Sequence, residues 1–296
     1  MVCGELIIFH AGSLEIPFSR MEKEFNALYP EITIQRRSGG STKLAQIIAE
    51  SKRPADIMAS ADYQVIEDVL LPEKALWNIL FATNRLVLCY TAKSRYAGQI
   101  TSANWFDILL RPGVKWGHSD PLLDPCGYRT LMLFQLAQLH YKMPGLYEQL
   151  MQSRRMEYVK PKSIELVDML KAGELDYGWE YISVAVQHGL KYVDLPDQIN
   201  LGNPDFDTFY SKAKVDFSKS GTNQGSRRGK ACVYGVTIMK DAPNSEAATA
   251  FLDYFLNPKG GLKILEEEGQ PPIVPCRASY PDMMDLIPDE ISCWLQ

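Results

Sequence analysis

The sequence predicts an α/β protein built as two lobes. Strand-like apolar runs and amphipathic helices alternate through the first eighty residues, which implies a parallel sheet with crossover helices. Two long apolar strands, 83–92 and 230–240, bracket the middle of the chain, so that the chain would cross between lobes twice. The first lobe is then residues 1–82 with 232–296, and the second the continuous stretch 83–231. At 296 residues and 46% hydrophobic content there is enough chain for two packed cores.

The elements follow in order. ELIIFH (5–10) is an apolar strand and AGS (11–13) a turn. Phe18, Met21, Phe25 and Leu28 recur at helical spacing after Pro17, and Tyr29-Pro30 stops that helix. EITIQRRS (31–38) alternates, with Ile32 and Ile34 on one face. SGGST (38–42) is a glycine turn; Leu44, Ile47 and Ile48 mark the second helix; ADIMAS (55–60) is a third strand. In the second series TNRLVLCYTA (83–92) reads as one long strand. A helix at 104–110, the strand VKWGHS (114–119) and a helix after DPCGYR (124–129) come next, the last carried by Leu131, Leu133, Leu136 and Leu139. A helix at 163–170, a strand at 175–179 and a helix starting near Glu180 complete it. Residues 197–229 are polar and read as a surface excursion. After the strand KACVYGVTIMK (230–240), two helices, 246–256 and 260–268, close the chain.

Composition excludes several functions. The net charge is -5, and basic residues cluster only in SRR (153–155) and SRRG (226–229), so nucleic-acid binding is not expected. No apolar run approaches the roughly 18 residues of a membrane span. The six cysteines contain no CxxC pair, which argues against zinc or redox chemistry. Cys89 and Cys232 fall in apolar strands and read as core. Cys276 and Cys293 are the one pair considered for a disulfide in an oxidising compartment, which spacing cannot establish. No signal peptide precedes the first strand. Two readings fit: a cytoplasmic protein, or an exported one whose signal has been replaced by Met1, with Cys3-Gly4 resembling the remnant of a lipoprotein site although no tether follows.

In parallel sheets, ligands bind beyond the carboxyl ends of the strands. The turns after the first two strands, AGS and SGGS, each put small residues and a hydroxyl at a helix start. Together Gly12, Ser13 and Ser41 describe a neutral cradle of N–H and O–H donors suited to an oxyanion. The absence of GxxxxGK argues against a nucleotide triphosphate. In HSDPLLDPCGYR (118–129), Asp124 reads as an N-cap and Pro125 as the first helical residue. The alternative is functional, because a helix N-terminus is a seat for an anion and Asp124 places a carboxylate there. Glu180, at a predicted helix start, is either dipole-favoured or a partly buried acid in need of a partner, as flanking Trp179 and Tyr181 suggest. Arg129 is expected to be structural, and His118 and His188 to be satisfied polar residues.

FHAGSLEIPF (9–18), SGGST (38–42), ADIMASADY (55–63), DPCGYR (124–129), WEYISVAVQHGLKY (179–192) and NPKGG (257–261) resemble, in order and over nearly the whole chain, the archaeal-type tungstate/molybdate-binding proteins, extracytoplasmic receptors of ABC transporters. HAGSL and ADIMASADY are shared with wider oxyanion binders; DPCGYR and the WEY motif are more specific. The stretch between them is shorter than expected for the family. The resemblance implies a type II periplasmic-binding-protein fold, hinged lobes with a central cleft, no enzymatic activity, no cofactor besides the bound tungstate or molybdate, a membrane permease as partner and a monomer. It implies that Asp124 and Glu180 reach the metal of the oxyanion and expand it from four to six ligands, while Gly12, Ser13, Ser41 and the turn Pro125-Cys126-Gly127 hold the oxygens through hydroxyl and N–H groups, proline having none to give. Tyr181 and Tyr192 are both candidates for a further ligand. Two other readings stand beside it: a protein of the same fold for sulfate, phosphate or an organic acid, which the two acids disfavour by repulsion, and a hydrolase with Cys126 as nucleophile at the helix N-terminus and His118 as base.

Overall fold

The computed structural model describes residues 2–50, 53–217 and 225–296. The chain forms two compact units, Met1–Thr83 with Val233–Gln296, and Asn84–Cys232.

The first unit is built on a six-stranded sheet in the order Pro272–Ala278, Ile79–Asn84, Cys232–Ile238, Ile57–Ser60, Gly4–Ala11, Ile32–Gly39. Gly4–Ala11 runs parallel to both of its neighbours, with Ala11 opposite Gly39 and Ile8 opposite Ile57. The expected β-α-β-α-β start is therefore present, and it brings the carboxyl ends of the first two strands side by side. Cys232–Ile238 pairs antiparallel with Ile57–Ser60. Phe18, Phe25, Phe81, Phe251 and Phe255 pack edge to face in the core, the arrangement ring quadrupoles favour.

The second unit carries a five-stranded sheet in the order Val159–Lys160, Trp116–Ser119, Tyr177–Tyr181, Leu86–Tyr90, Lys191–Val193. The Pro125–His140 helix is almost wholly buried, and its Phe134 meets Trp105, Trp116 and Trp179. The central strand Tyr177–Tyr181 is parallel to Trp116–Ser119, with Gly117 opposite Gly178, and antiparallel to Leu86–Tyr90.

Four expectations need correction. Residues 83–92 are not one strand: Ile79–Asn84 and Leu86–Tyr90 belong to different sheets. Arg85 separates them, its N–H turned to Asn84 Oδ1 at 3.0 Å and its carbonyl accepting from Ile182 N–H at 2.9 Å. Apolar periodicity continues through such a break and cannot reveal it. The chain does not close on two helices, because Pro272–Ala278 follows them as an edge strand against Ile79–Asn84. Its prolines hide it from strand propensity yet are tolerated at an edge. The polar stretch 197–229 is partly folded. Lys214–Asp216 pairs antiparallel with Ser226–Arg228; Ile199, Tyr210, Val215 and Phe217 are buried; and Gln135 exchanges two hydrogen bonds with the Lys214 backbone. Residues 218–224 of that stretch lie outside the described residues. Finally, Cys276 and Cys293 are free thiols, one buried and one exposed, as are the other four cysteines.

Candidate functional site

The first unit places its expected residues at the carboxyl ends of adjacent parallel strands. Gly12 and Ser13 form a short 3-10 turn, Gly12–Leu14, directly after Ala11. Ser13 is buried, with Oγ 2.8 Å from the hydroxyl of Tyr234, a fully buried partner that sequence reasoning missed inside the apolar run 230–240. Ser41 begins the Ser41–Glu50 helix, and its Oγ accepts from Ala61 N–H at 3.0 Å, which leaves its own proton to donate. Beside it Thr42 has a buried hydroxyl with no partner.

In the second unit, Asp124 is extended, at φ -137 and ψ 128, and precedes the Pro125–His140 helix. Its Oδ1 accepts from Cys126 N–H at 2.9 Å, so it caps the helix, with Pro125 in the first turn where no N–H is needed. Its Oδ2 accepts from Ser163 N–H at 2.9 Å. Burial pushes its pKa up to about 6; the Ser163 and Cys126 N–H groups and the Arg129 charge hold it back, while Asp120 adds to the rise. Gly127 is required: a Cβ there would lie 2.3 Å from the Ser119 carbonyl oxygen. The N–H groups expected to face an anion are engaged locally. That of Cys126 bonds the Asp124 carboxylate, and that of Gly127 bonds the Asp124 carbonyl at 3.0 Å.

Glu180 is not at a helix start. It lies on the central strand Tyr177–Tyr181, and the next helix begins at Ile182. Its side chain is fully buried and both carboxylate oxygens lack a hydrogen-bond partner. The face it occupies follows from the register. Gly117 and Gly178 sit opposite each other, and a Cβ on either would meet Leu166, with Leu170 also against Gly178, both from the Ile164–Ala172 helix. Two residues further along each strand, Ser119 and Glu180 return to that face, beneath the helix N-terminus where Ser163 stands. The buried Ser119 hydroxyl is also unpartnered. Burial raises the Glu180 carboxyl well above its ordinary value, and the neighbouring Asp124 charge raises it further. The Ser163 hydroxyl and the Tyr181 N–H face it and oppose the rise without closing full hydrogen bonds.

Between the two tyrosine candidates the structure draws a clear difference. Tyr181 is 1% exposed and accepts a 2.9 Å hydrogen bond from the buried Arg129, whereas Tyr192 is 38% exposed on the edge strand Lys191–Val193. Arg129 thus binds a phenol directly and acts on Asp124 through its charge. The hydrolase reading loses its chemistry here. Burial and the charges of Glu180 and Asp124 push the Cys126 thiol up, and its Sγ rests 3.6 Å from the Trp179 carbonyl. Burial pushes His118 down to about 4; its Nδ1 lies 2.6 Å from the Ser119 carbonyl, which only accepts, so Nδ1 carries the proton and Nε2 faces Arg154. A thiol held protonated and a weakly basic, doubly engaged histidine do not make a nucleophile and its base. His188 is half-buried beside Lys171. Among the described residues no group of three or more His, Cys, Asp and Glu could hold a metal ion. Among them, too, no helix is long and apolar enough to cross a membrane.

Two α/β units, a hydroxyl-lined pair of turns in one and a buried pair of acids in the other, are the parts of a receptor for a small solute. The chain belongs to the family of bacterial extracellular solute-binding proteins, whose model matches residues 6–269. Among curated relatives it is 44% identical over 275 residues to an uncharacterized solute-binding protein of Petrotoga mobilis, covering 93% of this chain and 85% of that one. It is 38% identical over 316 residues to the molybdate/tungstate-binding protein WtpA of Pyrococcus abyssi, covering 97% and 89%. Among solved structures, the periplasmic molybdate-binding protein of Azotobacter vinelandii superposes with a TM-score of 0.65 at 17% identity over 90% of this chain and 98% of that one, which establishes the type II periplasmic-binding-protein fold.

Proposed function

We propose that the protein captures tungstate or molybdate outside the membrane and delivers it to an ABC permease, with Asp124 and Glu180 as oxygen ligands to the metal of the bound oxyanion. The observation that supports this most is Glu180, whose carboxyl is fully buried, has no partner on either oxygen and feels a second carboxylate. Burying an unpaired acid costs several kcal/mol, and the neighbouring Asp124 charge adds to the cost of ionising it. A fold keeps such a pair where something electropositive is to be bound. Mo(VI) and W(VI) are hard centres that take further oxygen ligands, and sulfur in sulfate is not. The same two acids therefore attract one class of tetrahedral anion and repel another. Gly12, Ser13, Ser41 and Tyr181 are the proposed donors to the oxyanion's oxygens, while the Pro125-Cys126 turn, its one N–H bonded to Asp124, serves the site by holding that carboxylate. No cofactor, no catalysis and no nucleic acid enter this reading, and the working form is a monomer. The similarity to WtpA of Pyrococcus abyssi supports the choice of anion.

A second reading draws on the same carboxyl. Held protonated by burial, Glu180 could donate a hydrogen bond to sulfate or phosphate. Isothermal titration with tungstate, molybdate and sulfate in parallel separates the two. One-to-one binding of the first two, no sulfate heat, and loss of binding in Glu180→Gln and Asp124→Asn are expected. Sulfate binding as tight as tungstate would leave a plain tetrahedral-anion cradle and return Asp124 to the single role of a cap.

A further inference from the structure

Ser163 bonds one of the two acids and stands over the sheet face that carries the other. It holds the N-cap position of the Ile164–Ala172 helix, where a serine hydroxyl ordinarily accepts from a first-turn N–H, yet it makes no such side-chain bond. Its backbone is already helical, at φ -61 and ψ -37, which turns the hydroxyl away from the capping geometry. The residue is 4% exposed. Its N–H donates to Asp124 Oδ2 at 2.9 Å. Its freed hydroxyl stands over the sheet face that Glu180 shares with Ser119, and neither Glu180 oxygen accepts a hydrogen bond. We propose that Ser163 is a positioning residue for oxyanion selection: its N–H fixes Asp124 and its hydroxyl orients Glu180, so that one residue sets the spacing and the angle at which two carboxylates meet one metal centre. The proposal rests on the reading of Asp124 and Glu180 as ligands.

The residue type suits the task. The terminal torsion of a glutamate is broad, so a carboxylate with no bonded partner has no fixed plane. A neutral hydroxyl supplies one donor to one oxygen and leaves the other oxygen, and the charge, for the ligand. A lysine or arginine in its place would neutralise the carboxylate and compete with the metal for it. An alanine would keep the N–H on Asp124 but leave Glu180 without a guide. Because the same residue also holds Asp124, any shift of the helix start moves both acids together, which preserves their mutual geometry.

The test is a double-mutant cycle on the full chain with sodium tungstate as the probe. Ser163→Ala, Ser163→Thr, Glu180→Asp and the Ser163→Ala/Glu180→Asp pair are titrated calorimetrically, and tungsten coordination in the wild-type and Ser163→Ala complexes is read by X-ray absorption at the tungsten edge. Ser163→Ala is expected to weaken tungstate binding by roughly tenfold or more, the loss associated with one hydrogen bond to a charged group, and to lower the tungsten coordination number. Ser163→Thr keeps both donors and restores wild-type affinity. In the Glu180→Asp background, where the shorter side chain keeps the charge but withdraws it from the hydroxyl, Ser163→Ala has little further effect, because the hydroxyl acts through the Glu180 carboxylate. Wild-type affinity and wild-type coordination in Ser163→Ala overturn the proposal, as does a Ser163→Ala loss that adds in full to that of Glu180→Asp. Four-coordinate tungsten in the wild-type complex overturns the ligand reading itself, and the positioning role with it. If Ser163→Ala does not fold, Ser163→Gly carries the same cycle.

Discussion

Replacing Glu180 by glutamine should make the ligand-free protein more stable at neutral pH while abolishing tungstate binding. The carboxyl is fully buried, bonded to nothing, and held protonated by its surroundings. In the unfolded chain it ionises at its ordinary 4.5. Whatever its folded value, the penalty at pH 7.5 cannot exceed the three units between that pH and 4.5, a ceiling of about 4 kcal/mol at about 1.36 kcal/mol per unit. A raised folded value means that the group's contribution is complete below pH 4.5 and is lost as pH rises toward the folded value. Glutamine has the same shape and no proton to lose, so it removes the penalty, and the Ser163 and Ser119 hydroxyls on the same face can accept from its amide. At about 2–4 °C per kcal/mol for a unit of this size, the melting temperature should rise by up to about 16 °C at pH 7.5 and stay unchanged near pH 4.5.

Differential scanning calorimetry of wild type and Glu180→Gln at both pH values, with and without tungstate, decides the matter. Tungstate should raise the melting temperature of wild type and leave the variant's unmoved, so that at saturating ligand the order of stabilities reverses. A variant that melts at or below wild type at pH 7.5 without ligand would refute the reasoning, since Glu180 would then be satisfied in the folded state.

The other predictions are independent of that pair. Cys126→Ser should bind tungstate as wild type does, and the native Cys126 thiol should resist iodoacetamide at pH 8, because burial and two neighbouring acids hold it protonated. Gly127→Ala should unfold the second unit or cost it several kcal/mol, measured by calorimetry, since its Cβ would stand 2.3 Å from a backbone oxygen with nowhere to move. His118, pushed from 6.5 down to about 4, favours the folded state above pH 6.5, and that stability is lost as pH falls through about 4. His118→Gln should therefore flatten the acid limb of the stability profile by about 3 kcal/mol.

Much of the fold was legible because it rests on local periodicity. The parallel start of the first sheet followed from ELIIFH, EITIQRRS and ADIMAS, and the two hydroxyl turns fell at the strand ends the topology requires. What escaped reading was decided by contacts distant in sequence. The break at Arg85 depends on Asn84 and Ile182, and the edge strand Pro272–Ala278 depends on a partner two hundred residues earlier. Glu180 was singled out from its motif and its aromatic neighbours, but its place on a strand was not, because WEYI reads equally as a strand end or a helix start. Ser163 looked like an ordinary helix start, and only the direction of its hydroxyl distinguishes it. Tyr234 was hidden as one aromatic among apolar neighbours.

Asp124 posed a choice in the sequence between helix cap and ligand, and its geometry dissolves the choice. A carboxylate has about four lone-pair positions. Capping Cys126 uses one on Oδ1 and accepting from Ser163 uses one on Oδ2, so each oxygen keeps one. The two N–H groups lock the carboxylate plane against the start of a sixteen-residue helix and the N-terminus of a nine-residue one, so that little rotational freedom is left to lose when a metal centre arrives. Both donors also oppose the rise in its pKa. They keep Asp124 nearer to its ionised, ligating form than Glu180, which has no such support. The pair is thus asymmetric: Asp124 is the member already oriented and nearly charged, and Glu180 is the member whose charge the ligand itself must stabilise. An anion whose central atom accepts no further oxygen offers Glu180 no such stabilisation, and that asymmetry, more than the count of acids, is what should separate tungstate from sulfate.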